Sequence, residues 1–285
     1  MSISDQSFIK QFSSSITCNA DGIYYEDSSE TISYPESGND DCFGVEENSF
    51  WFRHRNDCII EMVKNSPPIM NGPIFDIGGG NGFVAKGLMN AGWDTVVVEP
   101  GASGARNAKK RGLPHVICAT TLTAKFESET IPAIGVFDVV EHIENDVEFL
   151  KHLWDLLIPG GMLYLTVPAY QALWSQEDVE GGHFRRYTTQ GLKKKLQQTG
   201  FSVRYSTYIF AFLPLIIFFL RTLPYRLNLV KRANNNDSIK KDHSSPSGFS
   251  GKTLTALMNG ELTRIKKRRR IFFGGSCMVA AKKSF

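Results

Sequence analysis

The chain has 285 residues, 42% of them hydrophobic, enough to bury a complete α/β core and leave about 80 residues for additions. Its five cysteines, Cys18, Cys42, Cys58, Cys118 and Cys277, are odd in number and contain no C-x-x-C pair, so they read as free thiols of a reducing compartment and argue against a disulfide framework or a zinc site. The net charge of +3 conceals a division, −10 over residues 1–200 and +13 over residues 201–285; the basic part has no recognisable RNA-binding module, which argues against a nucleic-acid partner.

Residues 1–48 are acidic and serine-rich, and loose structure is expected there. They contain no basic stretch followed by an apolar core, so no signal peptide is expected and the cytoplasm is the expected location. Residues 47–65, ENSFWFRHRNDCIIEMVKN, read as a helix capped by Ser49 or Asn48. Phe50, Trp51 and Phe52 crowd its first turn, where such aromatics are more often core than ligand contacts.

Residues 73–100, PIFDIGGGNGFVAKGLMNAGWDTVVVEP, read as strand, glycine loop, helix, strand and acid. Glycines at Gly78, Gly80 and Gly82 suit a sharp turn that brings backbone against a ligand. Glu99 follows at about the 20-residue distance where a ribose-binding acid belongs. The dinucleotide spacing G-x-G-x-x-G would put its third glycine at Phe83, so this G-x-G-x-G loop departs from an NAD(P) fingerprint. Such a loop asks for room beside the backbone more than for a pyrophosphate at the helix end.

Residues 134–138, IGVFD, form a further strand that runs into VVEHIEND, then a helix with Val147, Leu150, Leu153, Trp154 and Leu157 on one apolar face. Asn145 and Glu148 have the spacing of a capping box. The breaker pair Gly160–Gly161 ends that helix, and MLYLTVP, residues 162–168, makes the next strand. Asp138 lies at a strand end, on the side where open α/β sheets bind ligands.

These segments, with FDVVEHI, LIPGG and LTVPA in succession, resemble the class I S-adenosylmethionine (SAM) methyltransferases. LWSQEDVEGGHFRRYTTQGLKKKLQQTGF, residues 173–201, looks like a bacterial subgroup with W-S-x-x-D, G-H-x-R-R-Y and G-F segments, and IFFGGSCMVAAKK, residues 271–283, like the family's last strand. The resemblance implies a Rossmann-like, doubly wound α/β fold: a seven-stranded sheet with an antiparallel last strand and a helical insertion between strands 6 and 7. It divides the chain into a loose segment 1–48, a SAM-binding core 49–209, an apolar and basic insertion 210–270 and a last strand 271–285. Gly78, Gly80 and Gly82 should seat SAM and Glu99 should take its ribose hydroxyls. Asp76, Asp138 and Arg55 are candidates for its methionine end or the crevice around it.

Asp138, Glu141, His142 and His183 carry the candidate chemistry. D-x-x-E-H resembles the E-x-x-E-H of small-RNA 2′-O-methyltransferases and ubiquinone-pathway O-methyltransferases; in the RNA enzymes those residues, with a further histidine, hold a divalent metal. Asp138 in place of the first Glu shortens the reach. The residues therefore leave open a metal site, a general base at His142 or His183, and a loop that Glu141 and His142 merely hold by hydrogen bonds, with Glu141, His142 and His183 as the candidate catalytic residues. GGHFRRYT has two readings as well. It can enter a helix capped by Thr188 with Arg185 and Arg186 solvated or paired to the acidic N-terminal half, or it can put His183 and one arginine on the acceptor pocket, which is the expectation carried forward.

Residues 208–220, YIFAFLPLIIFFL, are apolar throughout, too short to span a bilayer, and interrupted by Pro214. They are expected to be buried or to wall the pocket, with peripheral membrane contact through residues 208–232 as the alternative. Residues 234–250 read as a flexible polar loop. The function expected is SAM-dependent methylation, on oxygen, of a small or lipid-linked acceptor with saccharide or quinone-like chemistry. RNA 2′-O-methylation, non-catalytic SAM binding at a membrane surface and NAD(P)-dependent oxidation are the alternatives.

Overall fold

The computed structural model describes residues 8–26, 40, 43–69, 72–228 and 249–284. Nine strands form one mixed sheet: β1 (Thr17–Cys18), β2 (Tyr24–Tyr25), β3 (Ile74–Ile77), β4 (Thr95–Val98), β5 (His115–Cys118), β6 (Ile131–Phe137), β7 (Leu157–Pro168), β8 (Phe201–Ile209) and β9 (Ser276–Lys283), in the order β1-β2-β5-β4-β3-β6-β7-β9-β8. From β2 to β7 neighbouring strands are parallel, and β9 runs antiparallel between β7 and β8. The residues of β3, β4 and β6 are all buried, as expected of parallel strands covered on both faces. Chain order reverses at β3, whose neighbours are β4 and β6, so a ligand crevice opens at their carboxyl ends.

The count of nine corrects the expected seven. The antiparallel pair β1–β2 is added at the β5 edge, with Tyr24 opposite Ile117. Residues 8–26 are correspondingly not loose. Ile9, Phe12, Ile16 and Ile23 are buried, and Phe12 packs edge-on against Phe75 of β3 with ring centroids 4.9 Å apart. Each such side chain contributes about 1.5–3 kcal/mol on burial. Most acidic residues of the first 48 lie beyond residue 25, so averaged composition hides an apolar stretch able to join the core.

The helices are α1 (Phe50–Asn65), α2 (Phe83–Asn90), α3 (Ala102–Lys110), α4 (Asp146–Leu156), α5 (Gln176–Glu180), α6 (Thr189–Gln198), α7 (Leu213–Ile217), α8 (Leu223–Arg226) and α9 (Phe249–Lys266). A π-helical turn, Phe218–Thr222, joins α7 to α8. The side chains of Ser49 and Thr188 cap α1 and α6, accepting from Phe52 N and Gly191 N. Asn145 makes no capping bond at α4, and Val147 is exposed on that helix, whereas Leu150 and Leu153 are buried. β7 begins at Leu157, five residues before Met162, because Gly160 at φ 79° lets the chain bulge within the strand and does not end it. The residues between β8 and β9 supply α7, α8 and α9; residues 234–248 of the expected flexible loop lie outside the described residues, and 249–250 open α9. The apolar run 208–220 is divided between two environments: Tyr208, Ile209 and Phe210 are buried, while Leu215, Ile216, Phe219 and Leu220 are exposed. Cys18, Cys58, Cys118 and Cys277 are free thiols; Cys42 lies outside the described residues.

Candidate active site

The glycine loop joins β3 to α2 at the crevice. Gly78, Gly80 and Gly82 have φ of 68°, 51° and 72°, the left-handed region where a Cβ is disfavoured. Space forbids a side chain as well. A Cβ on Gly78 would stand 2.7 Å from Val139 Cγ2, and one on Gly82 2.3 Å from Leu113 Cδ1. Glu99, buried at the end of β4, accepts from Gly80 N and Gly101 N, both at 2.8 Å, so the carboxylate expected at the ribose braces the loop.

Asp76 and Arg55 line the same crevice with opposite charges. Asp76 is 1% exposed and its Oδ2 has no hydrogen-bond partner; burial raises its pKa to about 7, against the pull of the Arg55 guanidinium. Arg55 lies over the rings of Trp51 and Phe52, 4.8 and 5.7 Å from their centroids, its Nε without a partner and its Nη1 donating to Asp138 Oδ2. Asp138, itself at φ 58°, accepts at Oδ1 from Thr166 Oγ1 at 3.0 Å. An orphaned guanidinium N–H and an orphaned carboxylate oxygen suit a ligand end that carries both carboxylate and ammonium. The residues fit the methionine moiety of SAM.

The expected group of four acidic and imidazole residues is divided. Asp138 turns to Arg55 and Thr166, whereas Glu141, His142 and His183 bring ligand atoms within 4.8 Å of one another. Glu141 is 1% exposed with Oε2 unpartnered, and burial, then the nearby Asp138 charge, raises its pKa well above the ordinary range. Burial and then His183 lower His142 to about 4, so its imidazole is neutral at physiological pH. The two imidazoles meet edge to face at 4.7 Å.

His183 is held from behind by a residue that the motif reading passed over. Its Nδ1 lies 2.8 Å from Asp178 Oδ1, which also accepts from Arg186 Nε at 2.7 Å, while Asp178 Oδ2 accepts from Ser175 N at 2.8 Å and from Ser175 Oγ. Burial alone would raise Asp178, but the bonds from His183 and Arg186 outweigh it and hold the carboxyl at about 2. An ionised Asp178 only accepts, so His183 Nδ1 carries the proton and Nε2 is the nitrogen able to take a proton or a metal. The sequence signal was a carboxylate five residues before a histidine, across the turn Gly181–Gly182.

Both arginines of G-H-x-R-R-Y are engaged. Arg186 serves Asp178 and Ala169 O; Arg185 pairs with Asp146 at 3.0 Å, which also holds Lys195 Nζ and Tyr187 OH. Both are thus paired to carboxylates of the acidic residues 1–200, as one of the two readings of this segment expects. The W-S-x-x-D and G-H-x-R-R-Y segments are two halves of one ion-pair scaffold behind His183.

A methyltransferase-domain family model matches residues 53–206, more than half of the chain. The chain belongs to this methyltransferase family. The mitochondrial ubiquinone biosynthesis O-methyltransferase of Rattus norvegicus is 26% identical over 108 residues, 35% of this chain and 31% of that protein. The human counterpart is 24% identical over 122 residues, 39% of this chain and 33% of that protein, so the matches span about a third of these relatives' length. Among solved structures, a SAM-dependent methyltransferase of Thermotoga maritima superimposes with a TM-score of 0.53 at 16% identity, covering 87% of this chain and 96% of that one. A phosphoethanolamine N-methyltransferase of Haemonchus contortus in complex with SAM gives 0.53 at 15% identity, over 88% of this chain and 58% of that one. The methyltransferase fold is therefore shared well beyond the matched domain, and SAM is the cofactor that the glycine loop, Glu99, Asp76 and Arg55 of this methyltransferase fit.

The raised carboxyl at Asp76 is expected to give SAM binding a pH dependence. Below about 7 the native methyltransferase keeps a proton there that an ammonium held at Oδ2 would displace. SAM affinity is therefore expected to rise with pH up to about 7 and then level, and to lose that slope in Asp76→Asn; calorimetry across the range reads this, and a flat wild-type profile would contradict it. Stability has the opposite sign. The raised group stabilises fully below the ordinary carboxylate range, and this contribution is lost as pH rises toward 7.

Proposed function

We propose that this methyltransferase transfers the methyl group of SAM to an oxygen of a small or lipid-linked acceptor, with His183 as the general base. The observation that carries the reading is the convergence of Glu141, His142 and Asp178-anchored His183 at the carboxyl edge, the edge where the glycine loop opens. SAM, when bound, supplies an electrophilic methyl on a sulfonium and so brings its own leaving group. What remains for the protein is to align the acceptor, exclude water and remove the hydroxyl proton. His183 Nε2 can accept that proton, with the Asp178 carboxylate stabilising the imidazolium through Nδ1. His142, neutral, can orient the hydroxyl by hydrogen bonding. The similarity to two ubiquinone biosynthesis O-methyltransferases supports oxygen as the nucleophile.

Tritiated SAM incubated with protein and fractionated cell extract tests the assignment. Label in the organic-soluble fraction supports it, label in RNA favours 2′-O-methylation, and SAM binding without any transferred label makes the protein a non-catalytic binder. NAD(P) binding in a competition titration would reopen the oxidoreductase reading that Phe83 opposes.

A second reading is favoured by the unpartnered Glu141 Oε2 beside a neutral His142: with His183 they form a three-ligand set for one divalent cation. Such an ion would lower the pKa of a bound hydroxyl, leaving the histidines as ligands. Under this reading EDTA abolishes methyl transfer and Mn²⁺, Co²⁺ or Zn²⁺ restores it, with a thermal shift on adding metal that Glu141→Gln lacks; transfer that is indifferent to EDTA leaves His183 as the base.

A further inference from the structure

From Leu213 to Arg226 the chain is helical, and one side of it is tied down: Pro214 and Thr222 are buried, and Thr222 Oγ1 donates to Leu173 O. The other side is an apolar ridge. Leu215, Ile216, Phe219 and Leu220 recur at helical spacing and are exposed, Leu220 by 72%. Phe272 and Phe273, on the segment that leads into β9, join them; Phe272 is 80% exposed. The two elements are neighbours, since a Cβ on Gly275 would meet Leu213 Cβ at 3.4 Å and Ile217 Cδ1 at 3.7 Å. Six large apolar side chains left in water on adjacent elements exceed the single scattered residues of an ordinary surface.

The flank of this ridge is cationic. Lys266, Lys267, Arg268, Arg269 and Arg270 are exposed and immediately precede Ile271 and Phe272, and among the described residues none forms an ion pair. Beyond residue 200 the only acids are Asp237, Asp242 and Glu261, and Glu261 is buried, accepting from Phe210 N and Ala211 N. A second copy on this face would oppose one cationic flank to another. An anionic surface would not.

We infer that this ridge and its basic flank form a docking surface for an anionic lipid bilayer, with the apolar side chains entering the acyl boundary and Lys266–Arg270 among the headgroups. The protein would lie on the membrane, since among the described residues no helix is long and apolar enough to cross one. Docking would also orient the catalytic crevice. Phe273 packs 5.5 Å from Tyr170, and Ala169 N donates to Gly275 O, both just beyond the carboxyl end of β7. The inference goes beyond the assignment of an acceptor and does not depend on it.

Co-sedimentation with phosphatidylcholine vesicles, with and without about a third phosphatidylglycerol, tests the surface without any substrate. Binding to the anionic vesicles should be about tenfold tighter or more and should weaken as salt is raised. Lys267→Gln and Arg270→Gln should each weaken it about fivefold, and the pair Leu220→Ser with Phe272→Ser about tenfold or more. SAM affinity measured by calorimetry should stay unchanged in all of them, which checks that they fold. Equal binding to neutral and anionic vesicles, variants that bind like the parent, or no binding to either vesicle would overturn the inference. So would a dimer dissolved by these substitutions in a protein that ignores vesicles, which would make the ridge a self-interface.

Discussion

Replacing His183 by alanine is expected to lower turnover by about 10²- to 10⁴-fold while leaving SAM affinity within about twofold. The expectation rests on the separation of two sets of residues along the carboxyl edge. Arg55, Asp76, Glu99 and the glycine loop are the residues expected to hold the cofactor, and none of them hydrogen-bonds to His183. His183 belongs to the Asp178 scaffold, whose partners, Ser175 and Arg186, remain in place when the imidazole is removed. Single-turnover kinetics with pre-bound SAM separates the chemical step from binding. Asp178→Asn adds a readout that bulk packing would not give: without the carboxylate, His183 loses the partner that fixes its protonated nitrogen, and the pH–rate profile should shift as well as fall. An alanine variant that turns over like the parent would remove His183 from the mechanism.

Gly82→Ala is expected to destabilise the fold by about 2–4 kcal/mol, the sum of a left-handed backbone forced on alanine and overpacking against neighbours. The new methyl would fall 2.3 Å from Leu113 Cδ1 and 3.0 Å from Ala108 Cβ, so the wall formed by α3 and the turn after it must move. Leu113 belongs to a small core with Ala85, Val97 and Ala108, and no slack lies behind it, since these residues are at most 1% exposed. Denaturant unfolding with SAM absent reads the effect, and an unchanged midpoint would contradict it. Gly92→Ala is the control: φ there is 97°, but nothing lies within 4 Å of the added atom, so only the backbone strain remains.

The parts of the molecule legible in the sequence are those encoded by neighbours along the chain. Buried strands read as apolar runs, the cofactor loop as glycines at fixed spacing, and the caps at Ser49 and Thr188 as side chains that reach three residues ahead. What could not be read depends on distant partners. β1 and β2 are two residues each and exist because β5 offers an edge. Gly160 and Gly161, breakers in isolation, sit inside β7, where a Cβ at 161 would crowd Pro132 O and Ile158 O at 3.0 Å each. At the site, D-x-x-E-H suggested one cluster, yet Arg55, 83 residues away, claims Asp138 and divides it. Asp178 stands within the W-S-x-x-D segment, but its task appears only when the turn at Gly181–Gly182 folds His183 back onto it.

The position of β9 between β7 and β8 has a consequence for biosynthesis. Among the described residues β8 pairs only with β9, so residues 201–209 lack this partner until synthesis has passed Lys283. Until then β7 presents an open edge in the middle of the nascent domain, since residues 162–168 lack the strand that pairs with them. A ribosome stalled between residues 209 and 276 is therefore expected to hold a domain with an unpaired strand edge, and closure of that edge is the step at which a holding chaperone would matter.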